Sequence, residues 1–154
     1  RMAKQRKWEI KEIKKGGRVS SAAKLIIGTR LTHLLDTIEK YFQTMDVENL
    51  HDVRISLRRV RYNMELFISC FNRKQFLGIY NAVQELQDLS GAVRDLDVFK
   101  ENINLLIQNE KARVSKTVLQ KVEKKRKKLE EELKLALMKF LHSKQLKNFY
   151  KLVS

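Results

Sequence analysis

Proline is absent from the 154 residues, and glycine occurs only five times. Sheets joined by tight turns need such residues at their corners, which argues against an all-β protein. The single cysteine, Cys70, has no partner for an intrachain disulfide, so the chain must hold itself together through an apolar core. Cys70 stands beside Phe67, Ile68 and Phe71, the setting of a small core residue in a protein suited to a reducing cytosol. Long apolar runs are missing too. Leu25-Ile26-Ile27, the longest near the N-terminus, is far too short for a secretion signal or a membrane span. Negative charge is scarce as well: 18 aspartates and glutamates face 33 lysines and arginines, for a net charge of +15. That excess points to a polyanionic partner and leaves nucleic acid, anionic membrane and phosphate polymers open.

What remains is an all-α reading. With 43% hydrophobic and 33% charged residues, a chain of this length fits one domain with a genuine core. Residues 1–18 are dense in lysine and arginine, carry Trp8, Ile10 and Ile13, and reach a break at Gly16-Gly17. They read as a basic N-terminal arm, without the sustained apolar face that membrane insertion requires. From Ser20, the residues Ala23, Ile26, Ile27, Leu31, Leu34, Leu35, Ile38 and Phe42 recur at helical spacing, predicting a first helix that ends near Met45. Asp46 or Asn49 can cap the second. Its seam, Leu50, Val53, Leu57, Val60, Met64, Phe67 and Phe71, steps by three and four without a gap, the pattern of a helix lying along a bundle. A third helical region starts near Lys74 and passes Ser90-Gly91, a predicted kink or close-packing point, since a glycine in a helix interior costs about 1 kcal/mol. A fourth runs from about Val114 to Leu141 with Val118, Val122, Leu129, Leu133, Leu137 and Phe140 on one side and a KKRKK run around it. The tail from Ser143 to Val153 predicts one short further helix, so the expected architecture is a four-helix bundle with extensions.

The stretch HDVRISLRRVRY, residues 51 to 62, concentrates the charge. At about 100° per residue, Arg54, Arg58 and Arg61 fall within roughly 60° of one another, with His51 at the head of the stripe. The apolar seam is centred roughly 100° away, and Arg59 points to another side. Guanidinium groups one turn apart repel unless something negative lies against them. Two sources are open. One is internal: GAVRDLDVF, residues 91–99, brings Asp95 and Asp97, which bundle packing can carry to the arginines. The other is a ligand, because arginine makes planar, bidentate contacts to phosphate oxygens. Two aspartates are too few to neutralise Arg54, Arg58, Arg59, Arg61 and Arg94 together, which tilts the balance towards a ligand.

HDVRISLRRVRYNMELF, followed after an intervening helical stretch by LQDLSGAVRDLDVF, resembles the paired motifs of the CHAD family, the conserved-histidine α-helical domain. His51, Arg54, Arg58, Arg59 and Arg61 match the first motif, and Arg94, Asp95 and Asp97 the second. Ser90 departs mildly from the leucine often found before the glycine. The resemblance implies a helical domain over residues 19–154 that binds inorganic polyphosphate through a basic surface. Arg54, Arg58 and Arg61 would grip successive phosphates, with His51, Arg59 and Arg94 adding contacts. Asp95 and Asp97 would orient arginines, while Lys24, Arg30, Lys124, Lys125, Lys127 and Lys128 extend the field. Family members commonly hold two such bundles, whereas one copy of the motif is present here, so a homodimer that rebuilds the pair is expected.

Nucleic-acid binding is the alternative, permitted by the charge and the KKRKK run, although only Tyr62 and Trp8 offer themselves for stacking. A metal site built from His51, Asp52, Asp95 and Asp97 is disfavoured, because the surrounding arginines would repel a cation; capping α-helical N–H groups is the simpler role for Asp52. No nucleophile motif or phosphate-cradling glycine loop is present. The expectation is a binding module without enzyme activity or cofactor, in the cytoplasm and associated with polyphosphate granules.

Overall fold

The computed structural model describes residues 18–111 and 113–154, so the basic arm lies outside the described residues except for Arg18. Five α-helices and one 3-10 turn make up the described fold: α1 Arg18–Gln43, α2 Val47–Leu66, the turn Ile68–Cys70, α3 Arg73–Glu110, α4 Lys116–Leu141 and α5 Lys144–Val153. The all-α expectation holds, with α1 to α4 forming the bundle and α5 docking against α1 and α3.

Each interhelix boundary has a local cause. The Asp46 side chain accepts a hydrogen bond from the Asn49 amide at 2.8 Å and caps α2. Asn72, Ser115 and Ser143 cap α3, α4 and α5 in the same way. These oxygens satisfy N–H groups that have no partner inside the helix, an effect worth about 1 kcal/mol each. The α3 helix ends where Lys111 takes up the left-handed conformation, at φ 53°.

The α2 seam is buried as its spacing predicts, with Val53, Leu57, Val60 and Met64 sealed from solvent. The helix nevertheless stops at Leu66, short of Phe71. The 3-10 turn and extended backbone at Phe71 redirect the chain while keeping Phe67, Cys70 and Phe71 in the core. Phe71 lies 5.8 Å from Phe76 and 5.7 Å from Phe149 between ring centroids, joining the turn to α3 and α5. Burial also pushes the Cys70 thiol up from its ordinary pKa, consistent with a packing role. One turn further along α5, Gly28 allows that helix to approach α1: a Cβ there would stand 2.9 Å from the Val153 carbonyl oxygen.

At Ser90-Gly91, expected to be a kink or a close-packing point, the structure shows close packing at Ser90. The α3 helix continues across it, with Ser90 fully buried and its hydroxyl donating to the Gln87 carbonyl at 2.8 Å. Packing of Leu86, Ser90 and Val93 against the core keeps the helix continuous past the glycine. At about 1.5 Å per residue α3 is roughly 57 Å long and α2 roughly 30 Å, so the far part of α3 outreaches α2 and pairs with the start of α4. This hairpin buries Ile103 and is tied by Lys100 and Glu123 at 2.8 Å. It also leaves Phe99, Leu105, Leu106, Ile107 and Val118 exposed.

Candidate functional site

The two motifs occupy α2 and α3, which pack against each other. Two side-chain contacts fix their register. Arg61 Nη1 donates to Gln87 Oε1 at 3.2 Å, and Tyr80 Oη donates to Glu65 Oε1 at 2.5 Å. Both describe an antiparallel pair, in which Arg54 comes level with residues 91–94 and Arg58 with residues 87–90. The arginine stripe therefore runs along the α3 side of α2, opposite Gln87, Gly91 and Arg94.

The arginines of the first motif meet different surroundings. Arg61 is half-buried and engaged: its Nε lies 3.1 Å from Glu65, and hydrogen bonding to Tyr80, followed by Glu65, raises its pKa above the ordinary value. Arg58 is exposed, its guanidinium carbon 5.8 Å from the centre of the Tyr62 ring, within cation–π range. Arg54 is partly buried. Among the described residues Arg54, Arg58 and His51 have no ion-pair partner, and His51 is exposed in the first turns of α2. Arg59 lies on the other flank, in a cleft of about 580 Å³ between α1 and α2 that also contains Asp36, Glu39, Lys40, Asp52 and Ser56. Asp52 thus faces this cleft, and the capping role belongs to Asp46.

The second motif divides in the same way. Arg94 lies 3.7 Å from Glu101, a loose and partly exposed pair. Asp95 is exposed, and no ion pair ties it to an arginine of α2. Asp97 is buried and bonds to Arg126 of α4, whose Nη1 also donates to Glu130 at 2.6 Å. Lys134 then approaches Glu130 at 3.1 Å, extending the network along α4. Burial alone would lower the Arg126 pKa, but the hydrogen bond and charge of Asp97, with Glu130, raise it. Beside them, the Tyr41 phenol is pushed up to about 12 by its own burial and by the charge of Glu130. Its hydroxyl and the second carboxylate oxygen of Asp97 are buried without a protein partner among the described residues.

Arg126 is the residue that the motifs do not reveal. It belongs to the KKRKK run, yet it turns inward while Lys124, Lys125, Lys127 and Lys128 are exposed. A signal was present in the α4 seam: Val122 and Leu129 stand seven residues apart, and Arg126 fills the missing inner position between them. The exposed lysines lie on α4, whose main packing partner is α3, so they are not gathered with Arg54 and Arg58.

The family model of the CHAD domain matches residues 7–93 and, in an overlapping second match, residues 25–153. The chain belongs to the CHAD family. No curated protein and no solved structure matches it. In this CHAD domain the first match spans α1, α2 and the front of α3, and the second extends through α5. Among the described residues no group of three or more histidine, cysteine or acidic side chains is arranged to hold a metal ion. No helix among them is long and apolar enough to cross a membrane.

Proposed function

We propose that this CHAD domain binds inorganic polyphosphate along the flank where α2 faces α3. The observation that carries the proposal is the pair Arg54 and Arg58, one turn apart and without a carboxylate partner among the described residues. Their guanidinium groups suit phosphate oxygens, and Arg61, held by Glu65 and Gln87, forms the fixed end of the stripe. Arg94 and His51 add positive or hydrogen-bonding groups nearby in the register, while Arg59 and the α4 lysines contribute to the wider field. Membership in a family of polyphosphate binders supports the choice of polyanion.

In this reading the domain holds the polymer without cofactor or chemistry of its own, and works in the cytoplasm at polyphosphate granules. Two copies associate to make a double bundle; a monodisperse monomer in light scattering at micromolar concentration would overturn that part. Nucleic acid is the competing ligand, favoured by the half-exposed Tyr62 ring beside Arg58. Fluorescence titration with labelled long-chain polyphosphate, competed by single-stranded and duplex nucleic acid at matched phosphate concentration, tests the choice. Polyphosphate is expected to win and to weaken steeply with salt as counterions are released. Preferential binding of nucleic acid would reverse the assignment.

A further inference from the structure

Gly91 occupies the middle of a 38-residue helix, where glycine is a poor choice unless something is gained from its missing side chain. The two usual gains are absent. The helix does not break there, and a Cβ added to Gly91 would meet no heavy atom within 4 Å. Gly28 provides the contrast, since its missing Cβ admits the Val153 carbonyl.

The register places this open spot. Gly91 follows Gln87 by four residues and Tyr80 by eleven, and both of those side chains contact α2. Residues at these spacings share one face of a helix. Gly91 is therefore on the α2-facing flank of α3, level with Arg54, one turn from Arg94 and half-buried beside the sealed Ser90. We infer that Gly91 keeps this flank of α3 free of side chain so that a linear polyphosphate chain lies against the α3 backbone between Arg54 and Arg94. This rests on the polyphosphate reading and assigns its steric limit to one residue.

Replacing Gly91 with alanine or glutamine tests it, because both are better helix formers and neither changes the charge. The expected result is a higher melting temperature for both variants by a few degrees. Affinity for long-chain polyphosphate should fall about tenfold or more in Gly91→Gln and less in Gly91→Ala. Binding by Gly91→Gln within twofold of the wild type would overturn the inference while leaving the polyphosphate reading intact. A lowered melting temperature in Gly91→Ala would also overturn it, by showing that the fold itself needs glycine. Failure of the wild type to bind would remove both readings at once.

Discussion

Arg126 and Arg58 carry the same guanidinium into opposite circumstances. Arg126 sits in the most basic run of the chain, yet it is turned inward, with only 18% of its side chain exposed, and held by Asp97 and Glu130. Arg58 sits on a helix that also contains acids, yet among the described residues no carboxylate pairs with it, and its guanidinium lies beside the Tyr62 ring. Local charge density is thus a poor guide to which arginine is neutralised. The carboxylates of the second motif do not all return to the arginines of the first: Asp97 serves α4, leaving the stripe on α2 more open than composition alone would imply.

The largest expected effect comes from breaking the balanced member of this comparison. Arg126→Ala leaves Asp97 buried beside Glu130 without its counter-charge, and should cost about 3 kcal/mol of stability in urea denaturation. Arg58→Ala should change stability by less than about 0.5 kcal/mol in the same assay. Equal losses in the two variants would erase the distinction.

The open member is tested by binding. Arg54→Ala combined with Arg58→Ala should weaken long-chain polyphosphate binding about 30-fold at moderate salt and reduce the salt slope by about two. An unchanged affinity would remove these arginines from the site.

Next comes the environment around Arg126, sharpened by pH. Tyr41 ionises near pH 10 in an unfolded chain and near about 12 in the fold, where burial and the charge of Glu130 oppose a phenolate. Its contribution is therefore intact below pH 10 and is lost as pH rises towards 12, an effect on the order of 2 kcal/mol. Tyr41→Phe should lose this alkaline component in denaturation curves measured between pH 8 and 11.5, since phenylalanine has no proton to release. A variant that falls in parallel with the wild type would place the alkaline transition elsewhere.

The smallest change is expected at Arg59. It shares its cleft with Asp36, Glu39 and Asp52, so Arg59→Ala should alter polyphosphate affinity less than threefold in the titration that reads the double variant. A loss comparable to Arg54→Ala would join the two flanks of α2 into one site.

Much of the scaffold was legible because it depends on spacing along the chain. The α2 seam, the capping Asp46 and the final short helix all follow from neighbours in sequence. The end of α2 was not, because Phe67 and Phe71 keep their helical spacing while a 3-10 turn carries them into the same core. The stripe of Arg54, Arg58 and Arg61 was readable as a face. The partner of Asp97 was not, since periodicity says that a residue points inward but not which neighbouring helix it meets. Arg126 was hidden for a related reason: four outward lysines made its run look uniformly solvated. Gly91 was noticed for its residue type, but whether its empty side faces packing or open space depends on the neighbouring helix.

The hairpin that extends beyond α2 gives the net charge a colloidal meaning. Phe99, Leu105 and Leu106 would tend to draw separate molecules together, and the repulsion between chains of charge +15 opposes that approach. A polyanion that neutralises the surface weakens this repulsion while leaving the apolar hairpin exposed. The dispersion of this protein is therefore coupled to its state of charge, and a saturating polymer changes how molecules meet as well as what each one holds.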